Sequence, residues 1–265
     1  MTHARSDAVS MNLDLACAVA LVVIPAAAAL AYGARMLVGG RGRARSERVD
    51  RDGGSALLAK SVMEMFYWAI APVGRACVRL GISANAITFA SLALGIAAGV
   101  AVAVGHLGAG ALLAGLCAAC DALDGVVARA SMRASDAGEV LDAAVDRYTE
   151  LALLGGVAVY LRDALGLLVL ALLAILASFM VSYSTAKAEA LNVTPPRGAM
   201  RRSERAVLLV LGAALVPVAA ALGVGFPDAP IVVALAVVGV VGNVSAVRRL
   251  AAIARAVDAK GAPAE

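Results

Sequence analysis

Apolar runs of about twenty residues recur along most of the chain, at 12–32, 86–104, 109–128, 139–161, 165–186, 206–226 and 229–247. A helix rises about 1.5 Å per residue, so each run is long enough to cross the roughly 30 Å hydrocarbon layer of a bilayer. Water is absent from that layer and cannot satisfy backbone amides, which leaves helices and closed barrels as the only spanning structures. The runs are continuous rather than alternating, which specifies helices. The expected fold class is all-α, a polytopic membrane helix bundle. Composition points the same way: 62% of the 265 residues are hydrophobic, whereas a soluble domain is about half apolar. The first run has a long apolar core, and its positive charges follow rather than precede it. That is the pattern of a retained span, not of a secretory signal.

Basic residues fix the expected sidedness. They follow the first run (Arg35, Arg41, Arg43, Arg45, Arg48, Arg51, Lys60), the third (Arg129, Arg133), the fifth (Lys187, Arg197, Arg201, Arg202, Arg205) and the last (Arg248, Arg249, Arg255, Lys260). The opposite loops hold little more than Arg5 and Arg162. By the positive-inside rule the N-terminus lies outside and the C-terminus in the cytoplasm. The net charge of +4 is thus a topology signal, and no basic-aromatic stretch suggests nucleic acid as a partner. Residues 41–56 read as a polar linker, and 58–83 as an amphipathic helix lying on the cytoplasmic leaflet. Leu58, Val62, Met65, Phe66, Ile70 and Val73 form its apolar face, Tyr67 and Trp68 suit the interface, and Pro72 is the expected break. Cys17, Cys77, Cys117 and Cys120 read as small packing residues. His3 and His106 read as solvated surface residues. Gly95 and Gly99 permit close helix contact.

The chemistry concentrates in residues 121–146, which read Asp121-x-x-Asp124-Gly125-x-x-Ala128-Arg129, eight residues, then Gly138-x-x-x-Asp142-x-x-x-Asp146. Spacings of three and four place each aspartate pair on one helix face. Two helices joined by a short loop can bring all four carboxylates to one point. Unneutralised, such a cluster repels itself at the edge of a bilayer. A divalent cation removes the conflict, and all-oxygen ligation selects Mg²⁺ or Mn²⁺. Asp136 and Glu139 read as a capping box that opens the next helix. Arg129 either neutralises the carboxylates or holds a phosphate oxygen.

This spacing resembles the signature of the CDP-alcohol phosphotransferase (phosphatidyltransferase) family at every fixed position. The resemblance implies a six-helix catalytic core preceded by an interfacial helix, with the first span an addition. The expected division is 1–57 (span and linker), 58–83 (interfacial helix), 84–250 (core) and 251–265 (cytoplasmic tail). It implies transfer of a substituted phosphate from a CDP-linked lipid to a polar alcohol, with release of CMP, in phospholipid biosynthesis at a bacterial inner membrane. Asp121, Asp124, Asp142 and Asp146 would hold the metal, and Asp146 would also be the base. Asp121, Gly125, Ala128, Arg129 and Gly138 would bind the CDP donor. The family also implies a homodimer.

A second cluster, Ser182-Tyr183-Ser184-Thr185-Ala186-Lys187-Ala188-Glu189 followed by Arg201-Arg202-Ser203-Glu204-Arg205, is similar to segments of the bacterial phosphatidylinositol-phosphate synthase branch. There Lys187, Arg201, Arg202 and Arg205 would take an acceptor phosphate, the alternative being an ordinary positive-inside loop. Thr185 departs from the basic residue of that pattern. Glycerophosphate- or serine-accepting synthases are the neighbouring alternatives. A divalent-cation transporter is the rival of a different class, although its acidic groups should lie at the midplane of several helices. A prenyltransferase would need a second acidic motif, and the intact signature argues against a non-catalytic scaffold.

Overall fold

The apolar runs fold as helices. The computed structural model describes residues 2–38, 60–132, 135–194 and 198–261. Among the described residues are eight helices and no strand: α1 (Thr2–Val38), α2 (Lys60–Arg79), α3 (Ala84–Ala103), α4 (Leu107–Ala130), α5 (Asp136–Tyr160), α6 (Leu165–Ala190), α7 (Arg202–Ala221) and α8 (Ala229–Gly261). Arg41, Arg43, Arg45, Arg48, Arg51, Arg133, Arg197 and the linker 41–56 lie outside the described residues, as do the side chains of His3 and Arg5. Six helices, α1, α3, α4, α6, α7 and α8, are long and apolar enough to cross a membrane. The chain is an integral membrane protein.

The seventh expected span, α5, is a 25-residue helix that carries Asp142, Asp146, Arg147 and Glu150 between its second and fourth turns. Its partners give its course. Asp146 and Glu150 pair with Arg202 and Arg205 in the first turn of α7. Tyr160, at the other end, donates to Asp228 Oδ1 (2.8 Å) in the turn between α7 and α8. Its ends are thus tied near the two ends of α7, while along its length, about 37 Å at 1.5 Å per residue, it packs on α3 and α6. Its charges are turned to protein partners rather than to lipid, as a polar spanning helix requires.

Small residues bring the helices together. A Cβ on Gly99 would lie 2.2 Å from the Ala152 carbonyl oxygen, and one on Gly156 would lie 2.2 Å from the Gly99 carbonyl oxygen. Gly95 likewise meets Thr149. The Gly95-x-x-x-Gly99 face is therefore the seat of α5 within one chain, where van der Waals packing replaces the hydrophobic effect as the associating force. The core continues through Leu154, Val157, Ala171, Ala174, Leu209 and Leu235.

Helix α1 lies against α4 and α7 and is fixed at both ends. At one end Asp14, buried in an apolar helix, accepts from Ala109 N (2.9 Å) and faces His106 Nδ1 (3.3 Å). It thereby satisfies an amide in the first turn of α4, as a cap would. At the other end Tyr32 packs on Trp68 of α2, with the Arg35 guanidinium 5.7 Å from the Trp68 ring centroid.

Four local expectations are corrected. His106 is partly solvated but not alone, because Asp14 reaches it across 92 positions. Pro72 does not end α2, which continues to Arg79 and rests Gly74 against Val126 of α4. The N-cap of α5 is Ser135, whose Oγ accepts from Gly138 N (3.2 Å), one residue before the expected Asp136. Finally α8 does not stop at 247. Its Ala-rich continuation stays helical to Gly261, as the high helix propensity of alanine favours.

Candidate metal and phosphate site

One helix end and two helix starts make the site. The last turns of α4 carry Asp121 and Asp124, the first turns of α5 carry Asp142 and Asp146, and α7 begins with Arg202. One oxygen each from Asp121, Asp142 and Asp146 lies within 4.8 Å of the others. Ligands on one Mg²⁺ at about 2.1 Å are at most about 4.2 Å apart, so small side-chain shifts bring three carboxylates onto one ion. The donor set is all oxygen and hard, and it fits Mg²⁺ or Mn²⁺.

Asp124 stands apart from those three. It is 6% exposed, and its Oδ2 accepts from Thr88 Oγ1 of α3 at 2.6 Å. The Ala84 carbonyl, 3.1 Å from Thr88 Oγ1, is the second acceptor within reach of that single hydroxyl hydrogen. Neither the spacing of the aspartates nor any local pattern points to Thr88.

Arg202 is the cation within the cluster. Its Nη1 lies 3.1 and 3.0 Å from the two Asp121 oxygens, and its Nη2 pairs with Asp146 Oδ1. One guanidinium thus joins α4 to α5 through the start of α7. Arg202 alone pairs directly with these carboxylates among the described residues, and a divalent ion would relieve their mutual repulsion.

The residues expected at an acceptor phosphate separate into two kinds. Lys187 is exposed at the end of α6, and Arg201 and Arg202 are half-buried at the start of α7. Arg205, expected at the same phosphate, is fully buried. Its Nε and Nη2 donate to Glu150 at 2.7 and 3.0 Å, and its Nη1 donates to the Met200 carbonyl at 2.7 Å. All three nitrogens are engaged, so Arg205 staples α7 to α5. Glu150 itself was missed in the sequence, although it is the next four-residue step after Asp142 and Asp146.

Gly125 and Ala128 are half-buried on α4, and Arg129 is exposed in its last turn. Gly138 is half-buried in the first turn of α5, where an added Cβ would meet only Ser135 Oγ at 3.3 Å. The aspartates therefore face a surface edged by small residues. Beside them a narrow cavity of about 60 Å³ runs into the bundle between Cys117, Thr149, Glu150, Leu153, Arg202 and Leu209. Cys117 and Cys120 are free thiols on α4, Cys117 being buried in this wall.

Residues 81–243 match the sequence profile of the family described as CDP-alcohol phosphatidyltransferase. The phosphatidylinositol phosphate synthase of Corynebacterium glutamicum is 36% identical over 167 residues, which span 60% of this chain and 73% of that protein. The crystal structure of the Mycobacterium tuberculosis phosphatidylinositol phosphate synthase with CDP-DAG bound is similar at a TM-score of 0.62 and 25% identity, covering 69% of this chain and 92% of that one. The same enzyme in complex with manganese and citrate is similar at 0.62 and 25%, covering 69% and 87%.

Proposed function

The chain belongs to the CDP-alcohol phosphatidyltransferase family, and from that premise we propose that it transfers a phosphatidyl group from CDP-diacylglycerol to a phosphorylated alcohol, inositol phosphate, releasing CMP. The observation that carries this reading is the meeting of Asp121, Asp142 and Asp146 at one point beside Arg202. Support for the acceptor comes from relatives named as phosphatidylinositol phosphate synthases. Support for the donor comes from the similar structure with CDP-DAG bound.

Asp121, Asp124, Asp142 and Asp146 would hold the divalent cation, Mg²⁺ or Mn²⁺, with Thr88 orienting Asp124. When bound, the cation neutralises diphosphate charge and stabilises the leaving CMP. Asp146 takes the proton of the acceptor hydroxyl. The hydroxyl oxygen then forms a bond to the phosphatidyl phosphorus, and the bond from that phosphorus to CMP breaks, with CMP keeping the electron pair. Gly125, Ala128, Arg129 and Gly138 bound the donor side, where small residues let the nucleotide approach the backbone. Lys187, Arg201 and Arg202 receive the acceptor phosphate, Arg202 being released from Asp121 and Asp146 once other positive charge is present. Arg205 holds the start of α7 in place through Glu150 rather than touching the acceptor. The donor keeps its acyl chains in the bilayer while its headgroup reaches the aspartates.

The site faces the cytoplasm of a bacterial inner membrane in this reading. Arg79, Arg129, Lys187, Arg201, Arg248, Arg255 and Lys260 all lie at that end of the bundle, the side favoured by basic residues. A homodimer is part of the proposal on the strength of the family alone. The test supplies purified protein with CDP-diacylglycerol, Mg²⁺ and, in parallel, inositol phosphate, glycerol 3-phosphate, serine or inositol. CMP release with inositol phosphate well above the other three is expected. Release with only another acceptor overturns the acceptor, and release with none overturns the reaction.

A further inference from the structure

Arg147 follows Asp146 on α5 and has no part in the reaction proposed above. It is half-buried, and its Nη1 is shut off from solvent without a hydrogen-bond partner. The charges that act on it are those of Glu150, Asp146, Arg202 and Arg205. Both of those carboxylates are already engaged. Glu150 accepts from Nε and Nη2 of Arg205 at 2.7 and 3.0 Å. Asp146 Oδ1 pairs with Arg202 Nη2, while Arg202 Nη1 holds both oxygens of Asp121. Arg147 is thus the guanidinium whose counter-charges are bonded to its two neighbours.

Asp146 is the pivot of this group. It is one of the three carboxylates that converge, and it balances Arg202 and Arg147 together. A divalent ion held by Asp121, Asp142 and Asp146 adds two positive charges at that point. Arg202 then shares both of its partners with the ion, and Arg147 loses one of its two counter-charges to it. Like charges at close range repel strongly in a partly dry site. The Arg202 side chain is 33% exposed, so it has room to turn outward. An anion that meets Arg202 within the field of Arg147 removes the repulsion. A phosphomonoester, with a charge of about −1.5 to −2 at neutral pH, suits two cations. Its oxygens also match the guanidinium fork.

We infer that Arg147 and Arg202 make binding of the acceptor phosphate conditional on the divalent cation, so that the metal binds first and the phosphorylated alcohol second. This rests on the reaction proposed above, and its test uses no CDP-lipid. Arg147 is a positioning residue that acts through Arg202. Its charge drives Arg202 from Asp146 to the phosphate once the ion is in place, and the same movement frees Asp146 for the acceptor hydroxyl. Linkage is reciprocal, so the phosphate tightens metal binding by the factor by which the metal tightens phosphate binding.

The purified full chain in detergent is titrated with inositol phosphate by calorimetry, in EDTA and in Mg²⁺, with unphosphorylated inositol as the control. Mg²⁺ is expected to tighten inositol phosphate binding about tenfold or more, within the usual range of coupling between two sites, and to leave inositol unaffected. Mn²⁺ affinity, read by electron paramagnetic resonance, should rise by a similar factor when inositol phosphate is present. Arg147→Gln should bring the factor down to about twofold or less, and Arg147→Lys, which keeps the charge, should hold it above about fivefold. Should Arg147→Gln fail to fold, Arg147→Met, which fills much the same volume without the charge, takes its place. Equal affinity in EDTA and Mg²⁺, or no binding in either, overturns the inference. A factor that survives undiminished in the uncharged variants overturns it in favour of direct contact between metal and phosphate. CMP release from CDP-diacylglycerol and inositol phosphate without this linkage sinks the inference and leaves the reaction standing. The linkage without CMP release does the reverse.

Discussion

At the scale of residues, the proposed metal site puts Arg202 and a divalent cation in competition for the same carboxylates. Arg202 contacts Asp121 and Asp146, two of the three aspartates that converge. Arg202→Gln should lower stability in the absence of metal by about 1–3 kcal/mol, the cost of leaving such groups unpaired. The same variant should gain more from added Mn²⁺ than wild type does, because a ligand stabilises only the state that binds it. Thermal unfolding with and without Mn²⁺ reads both effects, and an unchanged metal-free transition would contradict them. Asp146→Asn should reduce CMP release by about 10²–10⁴-fold, the usual weight of a general base. Full activity in that variant would remove Asp146 from the role. The four aspartates were legible in sequence because spacings of three and four encode a shared helix face. Arg202 lies 81 positions from Asp121 and Thr88 lies 36 from Asp124. Contacts of that kind are set by helix packing, and local spacing carries no trace of them.

At the scale of elements, the seat of α5 on α3 depends on backbone-to-backbone approach. Gly99→Val puts atoms where the Ala152 carbonyl now lies and should cost about 1–3 kcal/mol, the range for overpacking. Since α5 carries Asp142 and Asp146, the same variant should weaken Mn²⁺ binding, and an unaffected affinity would show that α5 can shift without moving the site. Arg205 is fully buried and Glu150 largely so, and Arg205→Ala should cost about 3–5 kcal/mol by leaving Glu150 without this partner. Denaturation followed by circular dichroism measures both costs. The ends of these elements were less readable than their existence. A single position separates Ser135 from Asp136 as the cap, and both are good capping residues. Likewise Arg248, Arg249, Arg255 and Lys260 suggested a tail, whereas the alanines between them extend α8. Its Arg249 and Lys260 then tie back to the Gly198 and Asn192 carbonyls.

At the scale of the whole molecule, the acidic site and the basic helix ends share one face of the bundle, while Asp14, His106, Tyr160 and Asp228 mark the other. Helix α1 lies outside the family match at 81–243 and joins these two faces through Asp14 at one end and Tyr32 at the other. Trp68 is the single tryptophan of the chain, so its fluorescence reports that second contact. Tyr32→Leu should shift its emission as the ring loses its neighbour, and an unchanged spectrum would show that α1 does not dock there. The central claim is that the gathered carboxylates act through a divalent cation to split a CDP-linked lipid. The most direct measurement is CMP release by the purified protein from CDP-diacylglycerol and inositol phosphate, first in EDTA and then with Mg²⁺ or Mn²⁺ restored. The account predicts no release in EDTA and recovery on adding either ion. Release that persists undiminished in EDTA would contradict it.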